Sequence, residues 1–101
     1  MKAEQLLIEL GIYPSLRGFK YICEALEMLK SGEYQVTELY RKIGEHHNSP
    51  DYTVERNIRC ALSKINYEKP IAVKYLSECP RTNRTLLYML DHLLKSENSM
   101  A

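Results

Sequence analysis

The chain has 101 residues, of which 45% are hydrophobic, and its formal net charge is +1 at pH 7. This length suits one globular domain with a single modest core. No apolar run approaches the roughly 20 residues of a membrane-spanning helix, and the N-terminal segment carries acidic residues where a signal peptide is apolar. These properties argue against secretion or membrane insertion and predict one soluble, cytoplasmic domain covering residues 1–101.

Cysteine usage and charge distribution add two weaker indications. Cys23, Cys60 and Cys79 are an odd number at wide spacings, which is typical of reduced thiols and not of a disulfide framework. Residues 1–48 hold six Lys/Arg and seven Asp/Glu, whereas residues 49–95 hold eight and five. The positive excess therefore lies in the second half, although a net charge near zero does not by itself indicate a nucleic-acid partner.

Apolar residues recur at helical spacing along almost the whole chain, and only four glycines and four prolines interrupt them. The pattern predicts an all-α fold, a compact bundle of about six helices. A short first helix at residues 3–10 ends at Gly11. The other predicted helices cover about 16–30, 35–47, 50–66 and 69–76, with a last one from 82 or 83 and a frayed polar tail from about residue 96.

The segment Asn48-Ser49-Pro50-Asp51 separates the third and fourth predicted helices. Asn48 suits a C-terminal cap and Ser49 an N-cap. Pro50 fits the first helical position, and Asp51 favours the positive end of the helix dipole. Two helices joined by so short a turn must pack at an angle, which predicts a helix-turn-helix.

The fourth predicted helix has two different faces. At about 100° per residue, its apolar side chains gather within about a third of the circumference, and the opposite face is centred on Arg56 and Ser63. A helix that a tight turn presents, with arginines projecting outward, meets the requirements for entering a major groove. Surface helices also carry arginines for solubility alone, so periodicity leaves both interpretations open. The inner residues are Val54, Ile58, Ala61, Leu62 and Ile65, and the outer ones include Tyr52, Glu55, Arg59 and Cys60.

Three longer motifs follow one another across about 90 residues. They are LLIELGIYPSLRGFKYICEALEML at 6–29, LYRKIGEHHNS followed by VERNIRCAL at 39–49 and 54–62, and PRTNRTLLYMLDHLL at 80–94. Their order resembles the C-terminal DNA-binding domain of stage 0 sporulation protein A, the sporulation response regulator of endospore-forming bacteria. The resemblance implies a bacterial six-helix transcription factor with a helix-turn-helix that binds GC-containing promoter boxes, usually as tandem copies.

The family's recognition helix carries V-E-R-x-I-R, which this chain matches from Val54 to Arg59. The resemblance implies that Glu55, Arg56 and Arg59 contact bases, since arginine can donate two hydrogen bonds to guanine and glutamate can accept from cytosine. Cys60 stands where a histidine is expected, so base preference is expected to differ there. The residues expected to contact DNA phosphates are Ser49, Tyr52, Thr53, Ser63, Lys64, Arg81 and Arg84.

The expected partners are double-stranded DNA, a second copy in tandem or homodimeric association, and RNA polymerase or a full-length regulator. The family's regulators also carry a receiver domain, which this sequence does not contain. We therefore expect a stand-alone effector domain that is not controlled through its own receiver aspartate. The alternative function is a protein-interaction module that pairs with a full-length regulator and modulates it without strong DNA binding.

Other kinds of site find little support in the residues. No nucleophile with a base, paired carboxylates or glycine-rich phosphate loop is recognisable, so neither an enzyme nor a cofactor is expected. His46 and His47 are adjacent and should point to different sides of a helix, so no metal site is expected. The leucine-rich last helix, residues 86–94, is expected either to lie in the core or to keep an apolar edge for a partner.

Overall fold

The computed structural model describes residues 1–32 and 35–100, without the side chains of residues 97–100. The described residues form helices and connecting turns without any strand, which confirms the predicted all-α class. No helix among them is long and apolar enough to span a bilayer. The helices are α1 (Ala3–Glu9), α2 (Arg17–Lys30), α3 (Val36–His47), α4 (Asp51–Leu62), α5 (Pro70–Tyr75) and α6 (Asn83–Met100).

The core lies where α2 packs against α4 and α6, while α1 and α3 cover its sides. Ile22, Ile58 and Leu90 come from these three central helices and are fully buried. The core interpretation of the last helix is confirmed, because its leucines at 86, 87 and 90 are at most 2% exposed. Met89, Leu93 and Leu94 of the same helix are partly buried and pack against this core.

Gly18 allows α2 and α4 to approach each other closely. A Cβ atom at this position would collide with the Asn57 carbonyl oxygen and would lie 2.8 Å from the Ala61 Cβ. Side chains normally hold helix axes 8–10 Å apart, and a glycine at the crossing point removes that spacer. The position of α4 therefore depends on the absence of a side chain at residue 18.

The turn between α3 and α4 is fixed by Gly44, Asn48 and Ser49. Asn48 adopts the left-handed conformation, with φ 56° and ψ 44°, which confirms its predicted role as a C-terminal cap. The Ser49 amide donates to the Gly44 carbonyl oxygen at 2.8 Å. A Cβ on Gly44 would collide with the Ser49 carbonyl oxygen. This glycine thus permits the chain to fold back tightly, as the predicted helix-turn-helix requires.

The start of α4 lies one residue later than predicted. Pro50, and not Ser49, is the N-cap: its ψ of 152° is extended, and no side chain caps the helix. Asp51 is consequently the first helical residue, where its negative charge favours the positive end of the helix dipole. The predicted order of turn and helix is retained, but the capping hydrogen bond expected from Ser49 is absent from this described segment.

The end of α4 differs more, since the helix stops at Leu62 and not near Asn66. After Leu62 the chain tightens into i→i+3 turns, in which the Lys64 amide donates to the Ala61 carbonyl oxygen at 3.0 Å. The Asn66 amide then donates to the Leu10 carbonyl oxygen at 2.8 Å. This long-range hydrogen bond draws the chain toward the end of α1, which a straight continuation of α4 could not reach. The predicted recognition helix 50–66 was therefore too long.

The other predicted helix boundaries agree with the structure to within about two residues, which is the usual uncertainty of helix ends. At the C-terminus, α6 continues to Met100, whereas the sequence predicted a frayed tail from about residue 96. No glycine or proline occurs between residues 83 and 100 to end the helix. The side chains of residues 97–100, and Ala101 as a whole, lie outside the described residues.

Candidate nucleic-acid interface

The outer face of α4 is open to solvent and its inner face is fully buried, as predicted. Val54 and Ile58 are 0% exposed on the inner side, whereas Tyr52 is 66% exposed on the outer side. Arg56 and Cys60 are exposed beside it. Because the buried face fixes the rotation of the helix about its axis, the structure determines which side chains point outward.

Glu55 and Arg59 form an ion pair along the outer face, with Oε1 and Nη1 2.8 Å apart. An exposed pair of this type contributes only about 0.3–0.5 kcal/mol to folding, so its main effect is on side-chain orientation. Arg59 uses one terminal nitrogen for this contact, and its guanidinium has five N–H groups in all. Arg56 makes no ion pair within the described residues. The face therefore presents one positioned and one unpaired guanidinium.

Asn83, at the start of α6, holds α4 from the side. Its Nδ2 donates to the Glu55 carbonyl oxygen at 3.1 Å, and its side chain lies near the Tyr40 hydroxyl of α3. Burial raises the pKa of the Tyr40 phenol, so this hydroxyl stays protonated at neutral pH. The Asn83 amide therefore links α6 to α4 and lies beside α3. The sequence indicated Asn83 only as one of two residues at which the last helix could start, because a contact across 28 residues leaves no local pattern.

A shallow cleft between the end of α4 and the start of α6 brings three predicted site residues together. Arg59, Ser63 and Arg81 all line it. The Arg81 guanidinium carbon lies 3.8 Å from the centre of the Tyr67 ring, a distance typical of a cation–π contact. Tyr67 thereby orients a cation beside α4. Sequence reasoning did not select Tyr67, since it follows α4 in a segment without periodicity.

The predicted residues near the beginning of α4 are more separated. Ser49 is half-buried in a groove beside the helix-turn-helix turn. Arg41, which sequence reasoning did not select, lines the same groove and pairs with Glu45 at 2.8 Å. Thr53 is half-buried, and its carbonyl oxygen accepts a hydrogen bond from the Asn57 side chain at 2.9 Å. Arg41 and Ser49 therefore lie beside the beginning of α4 on the side of α3.

Lys64 and Arg84 are exposed but do not join the cleft that contains Arg81. Lys64 follows the end of α4, and its carbonyl oxygen would lie 3.6 Å from a Cβ on Gly11, beside the end of α1. Arg84 is the second residue of α6. The structure therefore leaves these two cations at the margins of the candidate interface.

The three cysteines are free, and they differ in exposure. Cys60 is exposed on the outer face of α4, whereas Cys23 on α2 is half-buried. Burial raises the pKa of the Cys23 thiol to about 12, with a further contribution from the neighbouring acidic residues Glu4, Glu24 and Glu27. Cys23 therefore remains an unreactive thiol at neutral pH.

The expectation that His46 and His47 diverge is wrong. His46 Nδ1 lies 2.8 Å from Glu24 Oε1, and His47 Nε2 lies 2.6 Å from Glu24 Oε2. Adjacent residues on a helix are about 100° apart around its axis, but the long side chains of the pair bend toward one carboxylate on α2. The argument against a metal site from their spacing therefore does not hold.

Comparison with known proteins supplies the family. No curated protein matches the chain. The family model described as "Sporulation initiation factor Spo0A C terminal" matches residues 3–94, from the beginning of α1 to well within α6. The members of this family are DNA-binding domains, and the match confirms the resemblance seen in the three sequence motifs. The chain belongs to the family of Spo0A C-terminal DNA-binding domains.

Proposed function

We propose that this protein is a sequence-specific DNA-binding transcriptional regulator whose α4 lies in the major groove. The observation that carries the proposal is the outer face of α4, which presents Arg56, Arg59 and Cys60 to solvent. The opposite face of the helix is buried in the core. Membership of a DNA-binding family supports the same function. The major groove is about 12 Å wide and admits one α-helix.

Arg56 and Arg59 are the proposed contacts to guanine, because a guanidinium can donate to guanine N7 and O6 at once. Glu55 then has two roles. It orients Arg59 through the 2.8 Å ion pair, and its carboxylate can accept a hydrogen bond from a cytosine amino group. Cys60 lies on the same face, and its small side chain contacts a base edge without a strong donor or acceptor.

The remaining proposed contacts are to phosphates on both sides of the groove. Ser63 and Arg81 contact phosphates beside the end of α4, where the Arg81 guanidinium packs against the Tyr67 ring. Tyr52, Ser49 and Thr53 contact phosphates beside the beginning of α4. The two marginal cations, Lys64 and Arg84, contact phosphates farther out. Three cationic phosphate contacts predict a slope of roughly −3 for the logarithm of affinity against the logarithm of salt concentration.

The proposal includes action in the cytoplasm and association with a second copy on tandem sites, with RNA polymerase or a full-length regulator as further partners. The alternative module would pair with such a regulator through the last helix and bind DNA weakly. The buried leucines of α6 do not favour it, because Leu86, Leu87 and Leu90 are already used by the core. Among the described side chains of this helix, Tyr88 is the large hydrophobic one that is exposed, at 38%.

Selection of bound DNA from a random pool tests sequence-specific recognition. We expect enrichment of a GC-containing motif, and footprinting should show whether one or two copies bind. Arg56→Ala protein, selected in parallel, should enrich a weaker motif with at least one position relaxed. Wild-type protein that enriches no motif, or binds the pool no better than unrelated protein at moderate salt, would exclude the proposal and favour the interaction module.

Cys60 offers a second test of the interface, through its thiol. N-ethylmaleimide should modify the exposed Cys60 readily and leave Cys23 largely unmodified, because the Cys23 pKa of about 12 keeps its thiol protonated. Saturating selected DNA should protect Cys60, which mass spectrometry of the labelled peptides can follow. Labelling of Cys60 at the same rate with and without DNA would show that this face remains open in the complex. The half-buried Cys79 provides the internal control.

A further inference from the structure

A cluster of potential metal ligands lies outside the DNA-contacting face, between α2 and the end of α3. It consists of Glu24, His46 and His47, whose ligand atoms all lie within 4.8 Å of one another. Each imidazole contacts a different oxygen of the same carboxylate, at 2.8 Å for His46 and 2.6 Å for His47. Neither the DNA-binding proposal nor the core makes use of this arrangement.

Packing positions two of the three groups before any ligand arrives. Glu24 is only 28% exposed and His47 31% exposed. The His47 ring packs against the buried Tyr21, with ring centres 5.1 Å apart and planes tilted by 57°. His46 is 73% exposed and its ring lies beside the His47 ring, with 4.9 Å between ring centres and a tilt of 60°. The site thus has a fixed carboxylate, a fixed imidazole and a second imidazole that is free to adjust.

The donor set, two imidazole nitrogens and one carboxylate, matches what zinc binds with three protein ligands and one open position. Zinc bonds of about 2.0–2.2 Å place tetrahedral ligand atoms about 3.4 Å apart. The observed hydrogen-bonded contacts of 2.6 and 2.8 Å would therefore open slightly, while ligand atoms that are farther apart, all within 4.8 Å of one another, would move closer together. Rotation of the exposed His46 side chain can account for most of these changes in the distances between ligand atoms. Hard cations such as Mg²⁺ prefer oxygen ligands and fit this set poorly.

We propose that Glu24, His46 and His47 bind a divalent transition-metal ion, represented by Zn²⁺, which links the end of α3 to α2. His47 directly precedes Asn48, the cap of the helix-turn-helix turn. A metal ion at this point joins the base of the turn to the central helix that also supports α4 through Gly18. Because the ligands come from two helices, the ion binds the folded state preferentially and raises its stability.

The metal alone is the probe for the first experiment. Isothermal titration of the reduced, metal-free protein with ZnCl₂ should show one site, and thermal unfolding should shift to higher temperature with ZnCl₂ but not with MgCl₂. Co²⁺ should give the visible absorption of a nitrogen- and oxygen-ligated ion without a thiolate charge-transfer band. A thiolate band, or the absence of any Zn²⁺-dependent shift in the wild-type protein, would overturn the proposal.

Substitution of the proposed ligand residues tests which side chains bind the zinc ion. His46→Gln is the most informative change, because His46 is largely exposed and its loss should leave the fold intact. It should weaken Zn²⁺ binding by about tenfold or more, as should Glu24→Gln, since changes even to outer-shell partners of metal sites cost 10–100-fold. His92→Gln, at the remaining histidine, which is exposed on α6, is the matched control and should bind as the wild type does. Equal Zn²⁺ affinity in His46→Gln, Glu24→Gln and wild-type protein would place the ion elsewhere and refute the site.

Discussion

Replacing Arg56 with alanine is expected to weaken binding of the selected DNA site by about 1–3 kcal/mol, or roughly 5- to 150-fold, and to relax base preference at one position. Arg56 is exposed at the centre of the outer face of α4, while its neighbours Val54 and Ile58 anchor the helix from the opposite side. The substitution therefore removes a base contact and leaves the core unchanged. Fluorescence anisotropy with the selected site and with scrambled DNA measures both effects.

Two control variants distinguish a specific contact of Arg56 with a base from a general effect of its positive charge. Arg56→Lys keeps the positive charge but loses the two-pronged hydrogen-bonding geometry, so it should recover binding to scrambled DNA better than binding to the selected site. Lys74→Ala removes a cation from α5, whose Ile71 and Tyr75 line a cavity together with Leu93 and Leu94 of α6. It should change affinity by less than about twofold. An Arg56→Ala protein that lost affinity equally for selected and scrambled DNA would indicate a phosphate contact instead.

Replacing Gly18 with alanine is expected to destabilise the fold by about 1–3 kcal/mol, the usual range for overpacking. Alanine favours a helix over glycine by about 0.5–1 kcal/mol, so local propensity alone predicts the opposite sign. The added Cβ would collide with the Asn57 carbonyl oxygen, which is backbone and cannot rotate away. A lowering of Tm by at least about 4 °C should follow for a domain of this size.

Thermal and urea unfolding of Gly18→Ala protein test this expectation, with Lys20→Ala as a surface control on the same helix. Lys20 is exposed, and its loss should change the free energy of unfolding by no more than about 0.5 kcal/mol. Because Asn57 follows Arg56 on α4, a forced shift of the helix should also lower DNA affinity. A Gly18→Ala protein as stable as the wild type would mean that the close approach of α2 and α4 is not required.

Local sequence patterns were sufficient to predict most helices and the outer face of α4. Amphipathic spacing identified α2, α3, α4 and α6, because a helix must bury one apolar stripe whatever its partner is. Asn48 was predicted correctly as a cap, since the left-handed conformation suits asparagine and depends mainly on its own backbone. Three motifs in order also indicated the family that the comparison confirms.

Features that depend on distant parts of the chain could not be predicted in this way. The early end of α4 follows from the hydrogen bond between Asn66 and Leu10, which are far apart in sequence. The link from Asn83 to Glu55 is equally invisible in local spacing. The ion pair between Glu55 and Arg59 is different, because its i,i+4 spacing on α4 is a local pattern, although sequence reasoning assigned Glu55 only to a base.

The histidine pair gives the clearest contrast between the two kinds of information. Helical geometry predicted that His46 and His47 diverge, and for their Cα positions this holds, because adjacent residues are about 100° apart. Their side chains nevertheless meet at Glu24, since the packing of α2 against α3 places one carboxylate within reach of both rings. The sequence by itself determined the helices, their buried faces and the outward arginines, because these depend on neighbours within a few residues. Only the tertiary structure decided where α4 ends, how closely it approaches α2 and which polar groups meet, because these depend on contacts between segments that folding brings together.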